Sequence, residues 1–213
     1  MSQIVFERPA DKIRAKFSDD RAKILARNEL TPTAKAARVA LALKTANAQL
    51  AAAKSAADEA RQAARAKNER TAFGLDDLAS SPGDRAAITM AHRAALDKVA
   101  TIGDSKDAAA LLARARTSGD ETMVRALALH AHLQVVASGF TSEGWQNVLG
   151  DAARSRPAAI DAINSLLAEA KHLPQGAEMF EFMIVTPTEL GNATTDAQLD
   201  RIIAQDPSMG LVR

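Results

Sequence analysis

The stretch TPTAKAARVALALKTANAQLAAAKSAADEARQAARAKNERTAF, Thr31 to Phe73, contains no Gly, has Pro only at position 32 and is dominated by Ala, Lys, Arg and Gln. Thr31 is a good N-cap and Pro32 sits where no N–H is needed, so the pair marks a helix start. Phe73-Gly74 marks its end. At about 1.5 Å per residue such a helix is roughly 60 Å long, more than the width of a compact domain of this size. It must project, bend back or find a partner.

Within it a row of apolar residues recurs at alternating steps of three and four: Ala36, Val39, Leu43, Ala46, Leu50, Ala53, Ala57, Ala60 and Ala64. That spacing is the heptad pattern of a helix that packs along its length. The members expected to carry self-association are Val39, Leu43, Ala46, Leu50, Ala53 and Ala57, with Val39, Leu43 and Leu50 supplying the bulk. Ala buries little area, so at about 25 cal/mol per Å² the seam is weaker per turn than a Leu zipper.

On the N-terminal side, Gln3 to Phe6 reads as a short extended segment. Pro9 then opens a helix with Ile13, Phe17, Ile24 and Leu25 near one face. Leu30-Thr31-Pro32 ends it, because the residue before Pro is pushed out of helical geometry. The two helices form a hairpin or one kinked rod.

On the C-terminal side, Ser80-Ser81-Pro82-Gly83 is a turn or linker. The punctuation beyond it predicts five helices. Asp84 caps one ending at Gly103, Asp104 or Ser105 one ending at Ser118-Gly119, and Asp120 one ending at Ser138-Gly139. Ser142 opens a fourth, to about Ser155, and Pro157 a fifth, ending at Leu173-Pro174. The segments from Leu111 and from Val148 share an αα-hairpin pattern at an offset of 37 residues, near the period of helical repeats. Ala177 to Val185 is the most apolar run and reads as a helix packed under the body or as a strand. Asp196 to about Gln205 is a last short helix with Leu199, Ile202 and Ile203 on one side.

Composition agrees with an all-α protein: 47% hydrophobic residues, of which Ala is the largest part, and only 3% aromatic. Strand-rich cores draw on aromatic and β-branched residues instead. The expected organisation is a basic helical arm, 1–73, a linker, 74–83, an acidic multi-helix body, 84–205, and a tail, 206–213. Residues 1–73 carry 15 Lys/Arg against 8 Asp/Glu, net +7, and the remainder carries net −6. The arm suits an acidic surface, on a neighbouring subunit or on nucleic acid. Its interleaved Asp58, Glu59 and Glu69 and its lack of stacking aromatics favour protein.

Motifs of chemistry are missing. There is no Cys, which excludes disulfides, thiolate metal sites and Cys nucleophiles. His130 and His132 are two apart, about 200° around a helix, so they cannot serve one metal from one face. Asp76 and Asp77 lack further carboxylates at calcium-loop spacing. No phosphate-binding Gly motif and no GxSxG or SxxK nucleophile occurs. The expectation is a non-enzymatic protein without catalytic, metal or cofactor residues. Phe140 and Trp145 read as core anchors, with partner anchoring as their functional alternative. Nothing resembles a signal peptide or a membrane span.

The Ala-rich charged arm, the Phe73-Gly74-Leu75 junction, the stretch LLARARTSGDETMVRALALHA from Leu111, and a later helix with Trp145 and the Arg156-Pro157 turn together form a layout. It resembles uncharacterised helical proteins encoded among the virion structure and assembly genes of tailed phages that infect high-GC bacteria. The likeness spans chiefly Lys12 to Leu173 and carries over no site residues. It implies a non-enzymatic structural or assembly role in or around the capsid, head-to-tail connection or tail. With the seam of the long helix, the expectation is a homo-oligomer in contact with larger capsid, portal or tail proteins, in the virion or the host cytoplasm. The alternatives are a helical-repeat module that binds protein through residues 84–173 and a nucleic-acid-associated protein that uses the arm.

Overall fold

The computed structural model describes residues 8–78, 81–171 and 180–206. The chain is all-helical there, with no strand among the described residues: α1 (Pro9–Leu25), α2 (Pro32–Phe73), α3 (Pro82–Val99), α4 (Ser105–Ser118), α5 (Glu121–Ala137), α6 (Glu143–Ala153), α7 (Pro157–Lys171) and α8 (Asp196–Ile203), with a 3₁₀ turn at Thr188–Leu190 before α8. The long helix has the bounds its end signals predict. Thr31 Oγ1 accepts from the Ala34 N–H at 3.2 Å, and the Gly74 N–H closes on the Arg70 carbonyl at 2.8 Å.

Two compact units form. Among the described residues, the first contains 8–60 and 180–206 and the second contains 61–171. This differs from the expected division into arm and body in two ways: the C-terminal segment joins the N-terminal hairpin, and α2 contributes to both units.

In the first unit Phe17 of α1, Val39, Leu43 and Ala46 of α2, and Leu190 and Leu199 of the C-terminal segment share one apolar cluster. The expected self-association seam is therefore corrected. Val39, Leu43, Ala46 and Leu50 are all buried, at 5% exposure or less, so their bulk is already covered inside the chain. Ala53 is half-buried and Ala57 exposed, where α2 has only small and charged side chains to offer. Ion pairs fasten the C-terminal segment. Arg21 grips Glu189 with two hydrogen bonds, of 2.6 and 3.3 Å, and Lys44 meets Asp200 at 2.5 Å. Arg8 meets Glu181 at 3.0 Å. Arg21 holds the Glu189 carboxyl below the usual carboxylate range. A capping box fixes the start of α8, in which Thr195 and Gln198 satisfy each other's backbone N–H groups.

The apolar run to Val185 is neither strand nor packed helix over its described part. Residues 180–181 make a helical turn and residues 183–187 are irregular. Ile184 alone reaches the cluster, whereas Phe180, Met183 and Val185 are exposed. Residues 177–179 lie outside the described part.

In the second unit α5 is the central element and packs on α3, α4, α6 and α7. Met123 through Ala128 are buried without interruption, because α5 is covered on every side. Local signals set the ends as expected at Asp104 and Asp120, whose carboxylates accept from the N–H groups of Lys106 at 2.8 Å and Met123 at 3.0 Å. At α3 the cap is Ser81 rather than Asp84. Its Oγ accepts from the Asp84 N–H at 3.2 Å and donates to the Asp84 carboxylate at 2.8 Å. That helix also stops at Val99, four residues before Gly103, where the Ile102 N–H turns back to the Val99 carbonyl at 3.0 Å. The helices α4 and α5, then α6 and α7, follow one another as two αα-hairpins, and α6 joins them by packing on both α5, its main neighbour, and α4. This is the packing logic of short helical repeats.

Candidate interaction surfaces

In the first unit, α1 and α2 leave between them an open groove of about 470 Å³. Ile13, Phe17 and Ile24 recur at helical spacing on α1, and Leu41, Ala42 and Ala46 on α2; together these make its apolar lining. Phe17 and Ala46 lie at the bottom, buried, while Leu41 stands 45% exposed. Lys16, Lys23, Arg27 and Arg38 ring the opening with a single carboxylate, Asp20. Lys16 pairs with Asp20 at 2.7 Å and holds its carboxyl below the usual range. Lys23 also acts on Asp20 through its charge, Arg27 and Arg38 make no ion pair with a carboxylate among the described residues, and the buried Nε of Arg38 has no hydrogen-bond acceptor. The sequence showed the apolar faces of both helices; it did not show that they diverge enough to leave a cleft.

In the second unit, a smaller pocket of about 250 Å³ opens where α5 ends against α6 and α7. The end of α5 is a Schellman motif. Gly139 takes φ +61°, its N–H meets the Val136 carbonyl at 3.1 Å, and the Phe140 N–H meets that of Val135 at 2.9 Å. Phe140 is also left-handed, at φ +65°, a conformation that costs a non-Gly residue about 1 kcal/mol. Its ring lines the pocket, under the Lys171 ammonium at 5.0 Å, and Gln146 donates to its carbonyl at 2.8 Å. Leu149, Ile160, Ile163 and Leu167 complete the apolar wall.

The two aromatic residues singled out from sequence thus differ. Phe140 is half-buried at a pocket mouth, whereas Trp145 is buried in the core and meets the His130 ring edge-on at 5.2 Å. The histidines turn to different neighbours. His130 Nε2 pairs with the Ile102 carbonyl at 2.9 Å, and His132 lies against Phe73 with ring centroids 5.5 Å apart. Burial, then Arg65, pushes the His132 imidazole below its ordinary 6.5, against the opposing pull of Glu69.

Asp77 is an anchor for Arg125, and the neighbouring Asp76 lines an open cleft with Lys67, Arg70 and Arg156. Burial and the nearby Arg125 hold the Arg156 guanidinium below its usual range. Among the described residues no three His, Asp or Glu side chains gather as a metal site, and no helix is long and apolar enough to cross a membrane.

No protein family model matches the chain, and neither does any curated protein or solved structure. The class that fold and surfaces define is a two-unit all-α protein with open helical grooves.

Proposed function

We propose that the chain is a non-enzymatic structural or assembly protein that presents helical surfaces to other proteins, in or around a tailed-phage particle and hence in the virion or host cytoplasm. The observation that carries the protein-binding part is the groove of the first unit, where apolar lining, the exposed Leu41 and unpaired cations meet in one cleft. Such combinations of apolar area and oriented charge are characteristic of partner surfaces. The particle setting is supported by the layout resemblance over Lys12 to Leu173. The partners are copies of the chain and a larger capsid, portal or tail protein. Self-association has to use side chains other than the buried seam; outside the groove, Phe180, Met183 and Val185 are large apolar side chains exposed in the first unit.

A nucleic-acid role has less support. Arg14, Lys16, Arg21, Lys44 and Arg65 of the basic region each pair with a carboxylate of the same chain, which reduces the charge offered to phosphates. The helical-repeat reading keeps one favourable observation, the pocket beside Phe140 on the stacked hairpins.

Mass spectrometry of particles and assembly intermediates purified from cells that make the chain tests the setting. The chain at a constant ratio to a particle protein supports it; absence from both fractions removes it. Light scattering after size exclusion tests self-association, and a monomer at every concentration would leave only the foreign partner.

A further inference from the structure

We infer that the groove between α1 and α2 is the docking site of an acidic amphipathic helix belonging to a partner protein. The inference rests on the protein-binding role proposed above and names the chemistry of the partner. Its first support is shape. The lining residues run from Ile13 to Ile24 on α1 and from Arg38 to Gln49 on α2, about 17 Å of helix on each side, with Arg27 in the turn between them. A third helix of three to four turns lies along two such walls in the way helices pack, with large side chains entering the cleft at i, i+3, i+4 and i+7.

The second support is charge, and it is uneven. Because α1 and α2 are joined by a short turn, Arg27 and Arg38 lie toward the turn end of the hairpin, and Ile13 and Ala46 toward the other. Lys16 is neutralised by Asp20. Lys23 shares the charge of Asp20 with Lys16, whereas Arg27 and Arg38 near the turn make no ion pair with a carboxylate among the described residues, and Arg38 is half-buried with its Nε shut away from any acceptor. A half-buried guanidinium with one N–H shut away from any acceptor is a group that an incoming anion can complete. Carboxylates at one end of an incoming helix complete it, while two or three Leu or Ile side chains cover Leu41 and fill the apolar part. A phosphate backbone fits less well, since most of the cleft is apolar and no aromatic ring at its rim is placed to stack a base.

The test uses the full chain and a fluorescent helical peptide of about fifteen residues, with Leu at i, i+3, i+4 and i+7 and three Glu toward one end. Controls are a scrambled peptide of the same composition and versions with Gln or Lys in place of Glu. We expect saturable binding by anisotropy, weakened about tenfold by the Gln peptide and about tenfold by Arg38→Glu, the effect of losing about one charge pair. Leu41→Asp weakens it as well. The Lys peptide binds the Arg27→Glu/Arg38→Glu protein better than it binds the parent, which also shows that the variant is folded.

No binding up to about millimolar peptide overturns the site, since helix-in-groove contacts of this size exceed that affinity. Equal binding of the scrambled peptide also overturns it, by showing a response to charge alone. So does a dimer that Leu41→Asp dissociates, because the occupant is then a second copy. A peptide that fails to bind while the chain is found in particles defeats the groove and leaves the assembly role; the reverse result separates them the other way.

Discussion

Arg125 is 2% exposed and forks its guanidinium onto Asp77, 2.5 Å to Oδ1 and 2.7 Å to Oδ2, across 48 residues of sequence. The same side chain donates to the Gly74 carbonyl, so a single buried cation ties α5 to the turn that ends α2. The Arg125 hydrogen bonds hold the Asp77 carboxyl below the usual carboxylate range.

Asp77→Asn should destabilise the chain by about 2 kcal/mol, because it leaves a buried guanidinium short of its anion. The outer side of Asp77 is open to water, which keeps the cost at the lower end for a broken buried pair. Adding Arg125→Met should recover most of the loss, as an apolar side chain needs no partner there. Urea unfolding of both variants measures this; a double variant less stable than Asp77→Asn would contradict it.

His132 gives a pH dependence whose direction is determined by burial. Its pKa in the folded chain is below 6.5, so the unfolded chain binds the proton more readily. Its contribution is fully present above the unfolded value and is lost as pH falls from there toward the folded one. Urea midpoints at about pH 7.5 and about pH 5 should therefore differ more for the parent than for His132→Phe. Identical differences would show that the imbalance of Arg65, Glu69 and burial around this ring does not act as described.

Gly139→Ala should cost about 1 kcal/mol, through backbone strain alone. An added Cβ meets nothing within 4 Å, but φ is +61°. Gly139→Asn should fall between Gly and Ala, since Asn tolerates the left-handed region. A thermal melt that ranks Ala above Asn would refute the backbone origin of the effect.

Leu43→Ala should destabilise the first unit by about 3 kcal/mol by opening a cavity beside Val39 and Leu199. Light scattering on the folded fraction should show the same mass as the parent, because Leu43 faces the chain's own core. A fully stable variant that changes only its oligomeric state would restore the seam as an interface.

What could be read from sequence was what neighbouring residues decide. Thr31-Pro32 and Phe73-Gly74 bounded α2, and Asp104 and Asp120 marked the starts of α4 and α5, because caps act within four residues. The apolar side of α8 was visible as Leu199, Ile202 and Ile203. What it would cover was not, since Leu199 and Val39 are distant in sequence and no local rule links them. The charge asymmetry did hold a clue: part of the basic region meets Glu189 and Asp200 of the same chain, where sequence reading looked to a neighbouring molecule. The two interaction surfaces were only half legible. Periodicity gives the faces of helices, but the gap between two faces depends on packing.

The first unit is interrupted by the second along the chain, and that sets a timetable for synthesis. The hairpin of α1 and α2 leaves the ribosome with Val39 and Leu43 covered only by α1, and the rest of their cover, Leu190 to Leu199, arrives about 150 residues later. At cellular elongation rates that is about eight to thirty seconds. Meanwhile residues 61–171, a compact unit continuous in sequence, are complete before the cover is made. Throughout that interval the nascent hairpin offers a hydrophobic stripe to whatever chaperone or neighbouring chain is near, a window that vanishes once translation passes α8.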